Sequence, residues 1–373
     1  MKWSIKLARI LGIDVYIHLT FVLLLGWIAL GHYTRTGSVR DAVSGVLFVL
    51  AIFATVILHE FGHALVARRF GIRTKDITLL PIGGVARLER MPEKPSEELL
   101  VALAGPAVNV LLAILLAAYV SLAGLPLASG DGALMEQAPF TTRLLWVNVS
   151  LAIFNMIPAF PMDGGRALRA LLAIRGDYVK ATQTAAHVGQ ALALVLGIIG
   201  LFSSPLLVFI AFFVWIGAAG EAGAVQAKAS LLGVPVHAGM VTEFHALYTN
   251  DTLDTATRAL LGGSQVDFPV IDPSGQLAGV LTHTNLIEGL SRDGPSAIVG
   301  SVMERRFAIA DPYEPLDGAI ARLSEHGSRS MPVVQDGRVV GLVTMENVGE
   351  LLLVRDALRT SAARTRLLRE VHP

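Results

Sequence analysis

The chain has 373 residues, of which 53% are hydrophobic and only 16% are charged, so a wholly soluble globular protein is excluded. Basic and acidic residues balance at 30 each, which gives no electrostatic drive toward nucleic acid. The absence of Cys excludes disulfides and thiolate metal sites and leaves His and carboxylate as metal ligands. We therefore expect a protein of the lipid bilayer with no direct nucleic-acid partner.

Apolar stretches predict about six membrane-spanning helices. They run over about 16–32, 43–67, 99–123 and 144–157, with two more within 185–220. The first 15 residues predict a short strand pair or an amphipathic segment at the membrane surface.

Residues 77–89 carry a Pro and the pair Gly83-Gly84, and they predict a β-hairpin or a re-entrant loop. An open strand edge there offers a place where an extended substrate can pair by strand addition, and this makes Gly83 and Gly84 candidates for substrate positioning. An ordinary surface hairpin explains the spacing equally well.

The second predicted span ends in the sequence His59-Glu60-Phe61-Gly62-His63. Side chains four residues apart share one face of a helix, so His59 and His63 can bind one metal ion while Glu60 lies beside a bound water. Three ionisable residues within five positions of a membrane helix need a compensating partner, and a metal ion is such a partner. The alternative, polar groups that simply mark a helix end, is much weaker in this setting.

Two later segments supply further candidates. Asn109 lies in the third predicted span, just after Ala104-Gly105-Pro106, and needs a hydrogen-bond partner there. The fourth span ends near Asn155, and a segment rich in Pro and Gly unwinds the chain around Asp163, which follows 19 uncharged residues. An unwound segment that brings one carboxylate to membrane depth supplies a third zinc ligand. Alternatively, Asp163 caps a helix that begins near Arg166.

The distribution of Lys and Arg predicts the orientation in the membrane. Basic residues precede the first span and follow the second and fourth spans, whereas residues 124–142 contain none. By the positive-inside rule, both termini and the region after the last span are cytoplasmic. His63 precedes Arg68 by five residues and Asp163 precedes Arg166 by three, so both halves of the predicted site lie a turn or two from the cytoplasmic face. We expect a multi-pass protein of the cell membrane.

An internal repeat follows the last span. Five positions recur 63 residues later, and three more recur after 62. The pairs are Met240 and Met303, Leu253 and Leu316, Asp254 and Asp317, Ala256 and Ala319, Pro269 and Pro332, then Gly279 and Gly341, Thr282 and Thr344, Asn285 and Asn347. Each unit is predicted to fold as helix, strand, turn, strand and helix, and two such units form one pseudo-symmetric domain. The predicted domains are a membrane domain over 1–222, a linker over 223–235, repeat units over 236–292 and 297–353, and a basic tail over 354–373.

These motifs resemble known families. The HEFGH motif in a span, the Gly-Pro and Asn109 pattern in the next, and the segment from Asn155 to Asp163 resemble the site-2 protease family of intramembrane zinc metalloproteases. The repeat resembles a tandem pair of cystathionine β-synthase (CBS) domains. The expected fold is a polytopic α-helical membrane protein with small β-hairpin elements, followed by an α/β CBS-pair domain.

The resemblance implies that His59, His63 and Asp163 bind one zinc ion per chain and that Glu60 is the catalytic acid and base. It also gives Asn155 a role in aligning the substrate or stabilising the oxyanion, and Asn109 is a further positioning candidate. The implied activity is regulated intramembrane proteolysis, in which a peptide bond in or near a transmembrane segment is hydrolysed. Substrates of relatives include anti-sigma factors and membrane-tethered transcription factors.

For the CBS pair, the resemblance implies a regulatory role and suggests a homodimer. Thr282, Asn285, Thr344 and Asn347 stand at positions that bind nucleotides in some relatives, where Asp often occupies the two Asn positions. Asn can still form hydrogen bonds but brings no charge. The sequence therefore leaves binding of an adenine nucleotide open.

A competing hypothesis is a metal ion transporter that uses the same buried ligands and is gated by the CBS pair. Glu60 argues against it, because a transporter does not need a general base next to two imidazoles. The two halves also show no inverted repeat.

Overall fold

The computed structural model describes residues 3–81, 83–92, 94–127, 138–326, 328–355 and 357–358. The chain divides into two compact units, Met1–Val225 and Gln226–Pro373. Most of the predicted basic tail lies outside the described residues.

The first unit contains a four-stranded sheet. Its strands, in spatial order, are β1 (Ser4–Ile10), β2 (Ile13–His18), β3 (Thr74–Leu80) and β4 (Gly83–Leu88). The β1–β2 and β3–β4 pairs are antiparallel, and β2 joins β3 in parallel. The N-terminal segment and the predicted hairpin therefore form one sheet. Among the described residues, β4 pairs only with β3, which leaves its other edge open.

The described residues of the first unit contain seven helices, six of which follow the order of the predicted spans. They are α1 (Leu19–Thr36), α2 (Val39–Arg69), α3 (Pro95–Leu122), α4 (Phe140–Asn155), α5 (Asp163–Ala173), α6 (Tyr178–Ser203) and α7 (Pro205–Leu231). Within the described part of the chain, four helices are long and apolar enough to cross a bilayer: α2, α3, α6 and α7. Because α1 has 18 residues with a polar end and α4 has 16, the predicted count of about six spans is not confirmed.

Small residues bring the helix backbones close together around the HEFGH motif. A Cβ atom on Gly62 would lie 2.7 Å from the carbonyl oxygen of Ala104, so α2 and α3 meet backbone to backbone. A Cβ on Gly164 would lie 2.3 Å from the carbonyl oxygen of Ile157, so the start of α5 packs against the loop before it. These two positions therefore leave no room for a side chain larger than that of glycine.

Residues 156–162 are not helical, as the Pro and Gly content of this segment predicts. Helix α5 begins at Asp163 itself, and the cap position before it is Met162, which forms no side-chain cap bond. The alternative in which Asp163 caps a helix starting near Arg166 is therefore not what the chain adopts. The carboxylate is free to face α2 and α3.

The second unit contains the predicted repeat. Its elements are a 3-10 turn (Val236–Ala238), β5 (Leu247–Tyr248), α8 (Leu253–Gly262), β6 (Phe268–Ile271), β7 (Leu277–Leu281), α9 (His283–Asp293), α10 (Val299–Val302), α11 (Leu316–His326), β8 (Ser330–Gln335) and β9 (Arg338–Thr344). Residues 345–355 are helical. Each repeat thus has the predicted helix, strand, turn, strand and helix.

The segment before each repeat packs on the other repeat. A Cβ on Gly341 would lie 2.7 Å from Met240 Sδ, and a Cβ on Gly279 would lie 2.6 Å from Met303 Sδ. The buried Val236 likewise lies in the core of the second repeat. Each repeat core therefore includes a residue from the segment that precedes the other repeat, and a sequence repeat alone does not reveal this exchange.

Candidate active site

Three predicted metal ligands meet at one point in the first unit. The Nε2 atoms of His59 and His63 are 3.1 Å apart, and Oδ2 of Asp163 lies 3.1 Å from each of them. All three side chains are buried. Ligand atoms bound tetrahedrally about 2.0 Å from a zinc ion are about 3.3 Å apart, so this triangle has the size that zinc requires.

The other nitrogen of each imidazole is held by an oxygen acceptor. His59 Nδ1 donates to Oδ1 of Asn109 at 2.5 Å, and His63 Nδ1 donates to the carbonyl oxygen of Val101 at 2.6 Å. Since each neutral ring then carries its proton on Nδ1, both Nε2 atoms present lone pairs toward the carboxylate. Three acceptors that face one another without a donor need a cation between them, and the donor set fits zinc.

Asn109 and Asn148 form a second layer behind the imidazole of His59. Both side chains are fully buried, and Nδ2 of Asn109 donates to Oδ1 of Asn148 at 3.0 Å. Nδ2 of Asn148 in turn donates to the carbonyl oxygen of Leu144 at 2.9 Å. The structure therefore places Asn109 directly behind the imidazole of His59. The sequence analysis missed Asn148, although a lone Asn in an apolar helix signals a buried partner.

The backbone of α3 passes close to both imidazoles at Gly105, in the Gly-Pro step of this helix. A Cβ atom at this position would lie 2.2 Å from His63 Nε2 and 2.6 Å from His59 Nε2. Any larger residue would displace both rings, so the glycine lets α3 pass directly beside the triangle.

Glu60 lies in a cleft of about 340 Å³ that also reaches His59, His63 and Asp163. One wall of the cleft is formed by residues 83–86 of the edge strand β4. Asn155, Arg166 and two aromatic side chains, Phe154 and Phe213, also line the cleft. The open edge of a strand and a possible general base therefore face the same space.

The predicted positioning residues differ in their contacts. Gly84 packs on Glu60, because a Cβ at Gly84 would lie 2.9 Å from Cγ of Glu60. Gly83 has a φ angle of +139°, a conformation that favours glycine. Asn155 lines the cleft, and its Nδ2 donates one hydrogen bond to the carbonyl oxygen of Leu151 at 3.0 Å. Arg166 also lines the cleft, a position that the sequence analysis did not predict.

The four candidate nucleotide-binding residues form bonds within their own repeats. Thr282 Oγ1 accepts from the backbone nitrogen of Asn285 at 3.2 Å, and Thr344 Oγ1 accepts from that of Asn347 at 3.1 Å. Both Thr residues therefore cap the helices that follow. Nδ2 of Asn285 donates to the carbonyl oxygen of Val302 at 3.1 Å, which engages this amide in the fold.

A buried His-His-Asp triangle that could hold a metal ion lies beside a glutamate in a unit with long apolar helices, and this arrangement is typical of a metallohydrolase centre in a membrane domain.

Comparisons with known proteins agree with this class. The model of peptidase family M50 matches residues 47–139 and 126–196, and the CBS domain model matches residues 299–353. A zinc metalloprotease of Methanocaldococcus jannaschii is 31% identical over 93% of this chain and 96% of its own length. Rip3 of Mycobacterium tuberculosis is 30% identical over 94% of this chain and 93% of its own length. The solved structure of a site-2 protease from Methanocaldococcus jannaschii matches 59% of this chain and 95% of that chain, with 36% identity and a TM-score of 0.44.

The chain belongs to peptidase family M50, the site-2 protease family. It is a zinc metalloendopeptidase of the membrane that carries a CBS domain pair, and membrane proteins are its class of substrate. The predicted family, activity and metal are confirmed. The comparisons favour the protease over the metal ion transporter.

Proposed function

We propose that His59, His63 and Asp163 hold the catalytic zinc ion and that Glu60 is the general base and acid. The observation that carries the proposal is the triangle of three buried acceptor atoms, each 3.1 Å from the others. When bound, zinc supplies Lewis acidity that polarises a peptide carbonyl and lowers the pKa of a water molecule to about 7.

The side chains around the three proposed ligands have separate roles in the reaction. Glu60 accepts a proton from the attacking water and delivers it to the leaving nitrogen. Asn109 and the Val101 carbonyl fix both imidazoles in the tautomer that presents Nε2 to the metal. Asn155 retains a second N–H on Nδ2, which we assign to the substrate carbonyl as its negative charge develops.

We infer that the substrate binds as an extended strand along β4. A helical substrate shields its carbonyl groups, so the segment around the scissile bond must unwind before attack. The open edge of β4 offers backbone hydrogen bonds to that segment, and residues 83–86 line the cleft with Glu60. On this wall Gly84 packs against Glu60, and Gly83 has a φ angle that favours glycine.

The finer arrangement in the membrane is also proposed. We infer six spans, with α1 and α4 added to the four long helices, and a multi-pass protein whose termini and CBS pair are cytoplasmic. Substrates of the expected type are membrane-tethered regulators such as anti-sigma factors or transcription factors.

For the second unit, we propose a regulatory role and a homodimer through the CBS domains. The domain limits that we propose are 1–222 for the protease and 236–353 for the CBS pair, with the linker between them. An adenine nucleotide is the proposed ligand of the pair. Its contacts must come largely from groups other than the amide of Asn285, since that amide bonds to Val302.

Metal removal and restoration test the proposed function. The detergent-purified full chain is treated with a chelator, and cleavage of a panel of single-span membrane peptides is followed. We expect cleavage to disappear with the metal and to return with about one zinc per chain, but not with magnesium. Cleavage that persists in metal-free protein would contradict the proposal.

A further inference from the structure

A buried ion cluster lies beside the helix that carries Asp163. Arg169 of α5 is fully buried, and its Nε and Nη2 donate to Oε1 of Glu98 at 2.8 and 2.5 Å. Its Nη1 donates to Oε1 of Glu221 at 2.5 Å. The cluster of Glu98, Arg169 and Glu221, here called the Arg169 clamp, therefore ties α5 to α3 and to α7.

The Arg169 clamp includes aromatic contacts in addition to its ion pairs. The guanidinium carbon of Arg169 also lies 5.1 Å from the ring centres of both Phe160 and Tyr178. An arginine within ion pairs and between two aromatic rings can adopt few other positions. Desolvation makes such a buried ion cluster expensive, and apolar residues often replace one without loss of stability. Stability alone is therefore a weak reason for it.

The clamp lies on the same short helix as a metal ligand. Arg169 follows Asp163 by six residues, which is about 9 Å along a helix axis. Helix α5 has only 11 residues and carries both side chains, so we expect a shift at Arg169 to shift Asp163 as well. Oδ2 of Asp163 has little tolerance for such a shift, since it lies 3.1 Å from both Nε2 atoms.

The two halves of the clamp differ in their exposure. The side chain of Glu98 is 2% exposed, whereas that of Glu221 is 31% exposed. The bond to Glu98 is thus enclosed, while the bond to Glu221 is open to water. Glu221 lies on α7, which continues without a break to Leu231, past the limit of the first unit at Val225.

We propose that Arg169 is a positioning residue that holds the carboxylate of Asp163 at its place beside His59 and His63. Through its ion pair with Arg169, Glu221 makes this position depend on α7. The proposal rests on the assignment of Asp163 as a zinc ligand. Displacement of α7 breaks the exposed half of the clamp, lets α5 shift and weakens zinc binding. The helix that leads into the second unit is thereby connected to the metal centre.

The first test replaces Glu221 with Gln in the full-length zinc enzyme, which removes the charge and keeps the shape. We expect zinc to pass to a chelator about tenfold faster, as for loss of an outer-layer partner of a metal ligand. Amide hydrogen exchange of residues 163–173 should also become faster. The matched control is Lys228→Gln on the same helix, which should change neither rate. Glu221→Gln with wild-type zinc loss and exchange would overturn the proposal.

The second test removes the enclosed half of the clamp. Arg169→Met alone leaves Glu98 buried and unpaired and is expected to unfold the domain. The double variant Glu98→Met with Arg169→Met removes both charges together and should elute as a monodisperse protein. In that folded variant we expect zinc loss to be at least as fast as in Glu221→Gln, and wild-type zinc retention would overturn the proposal. If the double variant also fails to fold, the result for Glu221→Gln decides.

A reference variant separates this proposal from the zinc assignment. Asp163→Ala should lose zinc faster than any clamp variant. If Asp163→Ala retains zinc like the wild type, the ligand assignment fails. If Asp163→Ala loses zinc while the clamp variants retain it, only the clamp proposal fails.

Discussion

In the first unit, His59, His63 and Asp163 turn three acceptor atoms toward one point, whereas in the second unit Asp267 and Ser330 turn a carboxylate and a hydroxyl toward each other. Oγ of Ser330 donates to Oδ2 of Asp267 at 3.1 Å, and these residues occupy equivalent positions of the two repeats. The backbone nitrogen of His283 donates to the other oxygen of Asp267 at 2.9 Å. The buried pair of Asp267 and Ser330 is therefore satisfied within the fold, while the triangle of His59, His63 and Asp163 brings acceptors together without a donor.

This difference shows how a functional centre can be separated from a structural polar cluster. Donors and acceptors are matched where the cluster stabilises the fold. Acceptors accumulate without donors where an ion is to be bound. The following predictions test this contrast from the largest expected effect to the smallest.

Removal of one metal ligand should have the largest effect. In His59→Ala the triangle loses a vertex, so we expect less than one tenth of the wild-type zinc content and a loss of cleavage of at least about 10³-fold. Zinc content and peptide cleavage are measured on the same purified sample. His187→Ala, an exposed His on α6, is the control and should behave like the wild type. Normal zinc content in His59→Ala would show that the triangle is not the metal site.

The layer behind His59 should have the next largest effect. Asn109→Leu removes the acceptor of His59 Nδ1, and we expect a loss of zinc affinity of about 10-fold to 100-fold. Asn148→Leu leaves that bond in place and should cost only a few-fold. Competition with a fluorescent chelator measures both affinities. A larger loss in Asn148→Leu than in Asn109→Leu would contradict the proposed order of the two residues.

A substitution in β4, which forms one wall of the cleft, should reduce cleavage without reducing the zinc content. The new methyl group in Gly84→Ala meets Cγ of Glu60, so we expect cleavage to fall about tenfold, because small displacements of a catalytic group are costly. Zinc content should stay at about one per chain. Gly26→Ala on α1, where a Cβ has open space, is the matched control. Equal cleavage by the two variants would show that β4 does not position Glu60.

The smallest effect is expected in the second unit. Asn285→Ala deletes the bond from Nδ2 to the carbonyl oxygen of Val302, which is worth about 1 kcal/mol. Amide exchange of residues 283–293 in the full chain should rise about fivefold. Thr284→Ala, at an exposed neighbour, should leave the exchange unchanged. If exchange is unchanged in Asn285→Ala, the bond to Val302 does not stabilise this helix. The side-chain amide of Asn285 would then be available to bind a ligand.

The sequence allowed the ligands to be predicted because polar residues are conspicuous in apolar stretches. Long uncharged stretches precede both His59 and Asp163, and helix spacing together with an unwound segment indicates that His59, His63 and Asp163 converge. The repeat was equally visible. The parallel pairing of β2 with β3 was not, because neither strand carries a local signal for a partner so distant in sequence.

Arg169 illustrates what a charge count misses. It was predicted only as one of several basic residues that mark the cytoplasmic side, yet it is fully buried. Its partners Glu98 and Glu221 lie far away in the sequence, and no spacing rule connects them. Pairing between distant charges depends on the tertiary fold and cannot be derived from local periodicity.

The most direct test of the central claim compares wild-type protein with Glu60→Gln for zinc content and for cleavage of single-span membrane peptides. The substitution keeps the shape of the side chain and removes the base, while all three ligands remain. We predict about one zinc per chain in both proteins and cleavage by the wild type only, with a loss of at least about 10³-fold. Cleavage by Glu60→Gln at the wild-type rate, or a wild-type protein that binds no zinc, would contradict the account.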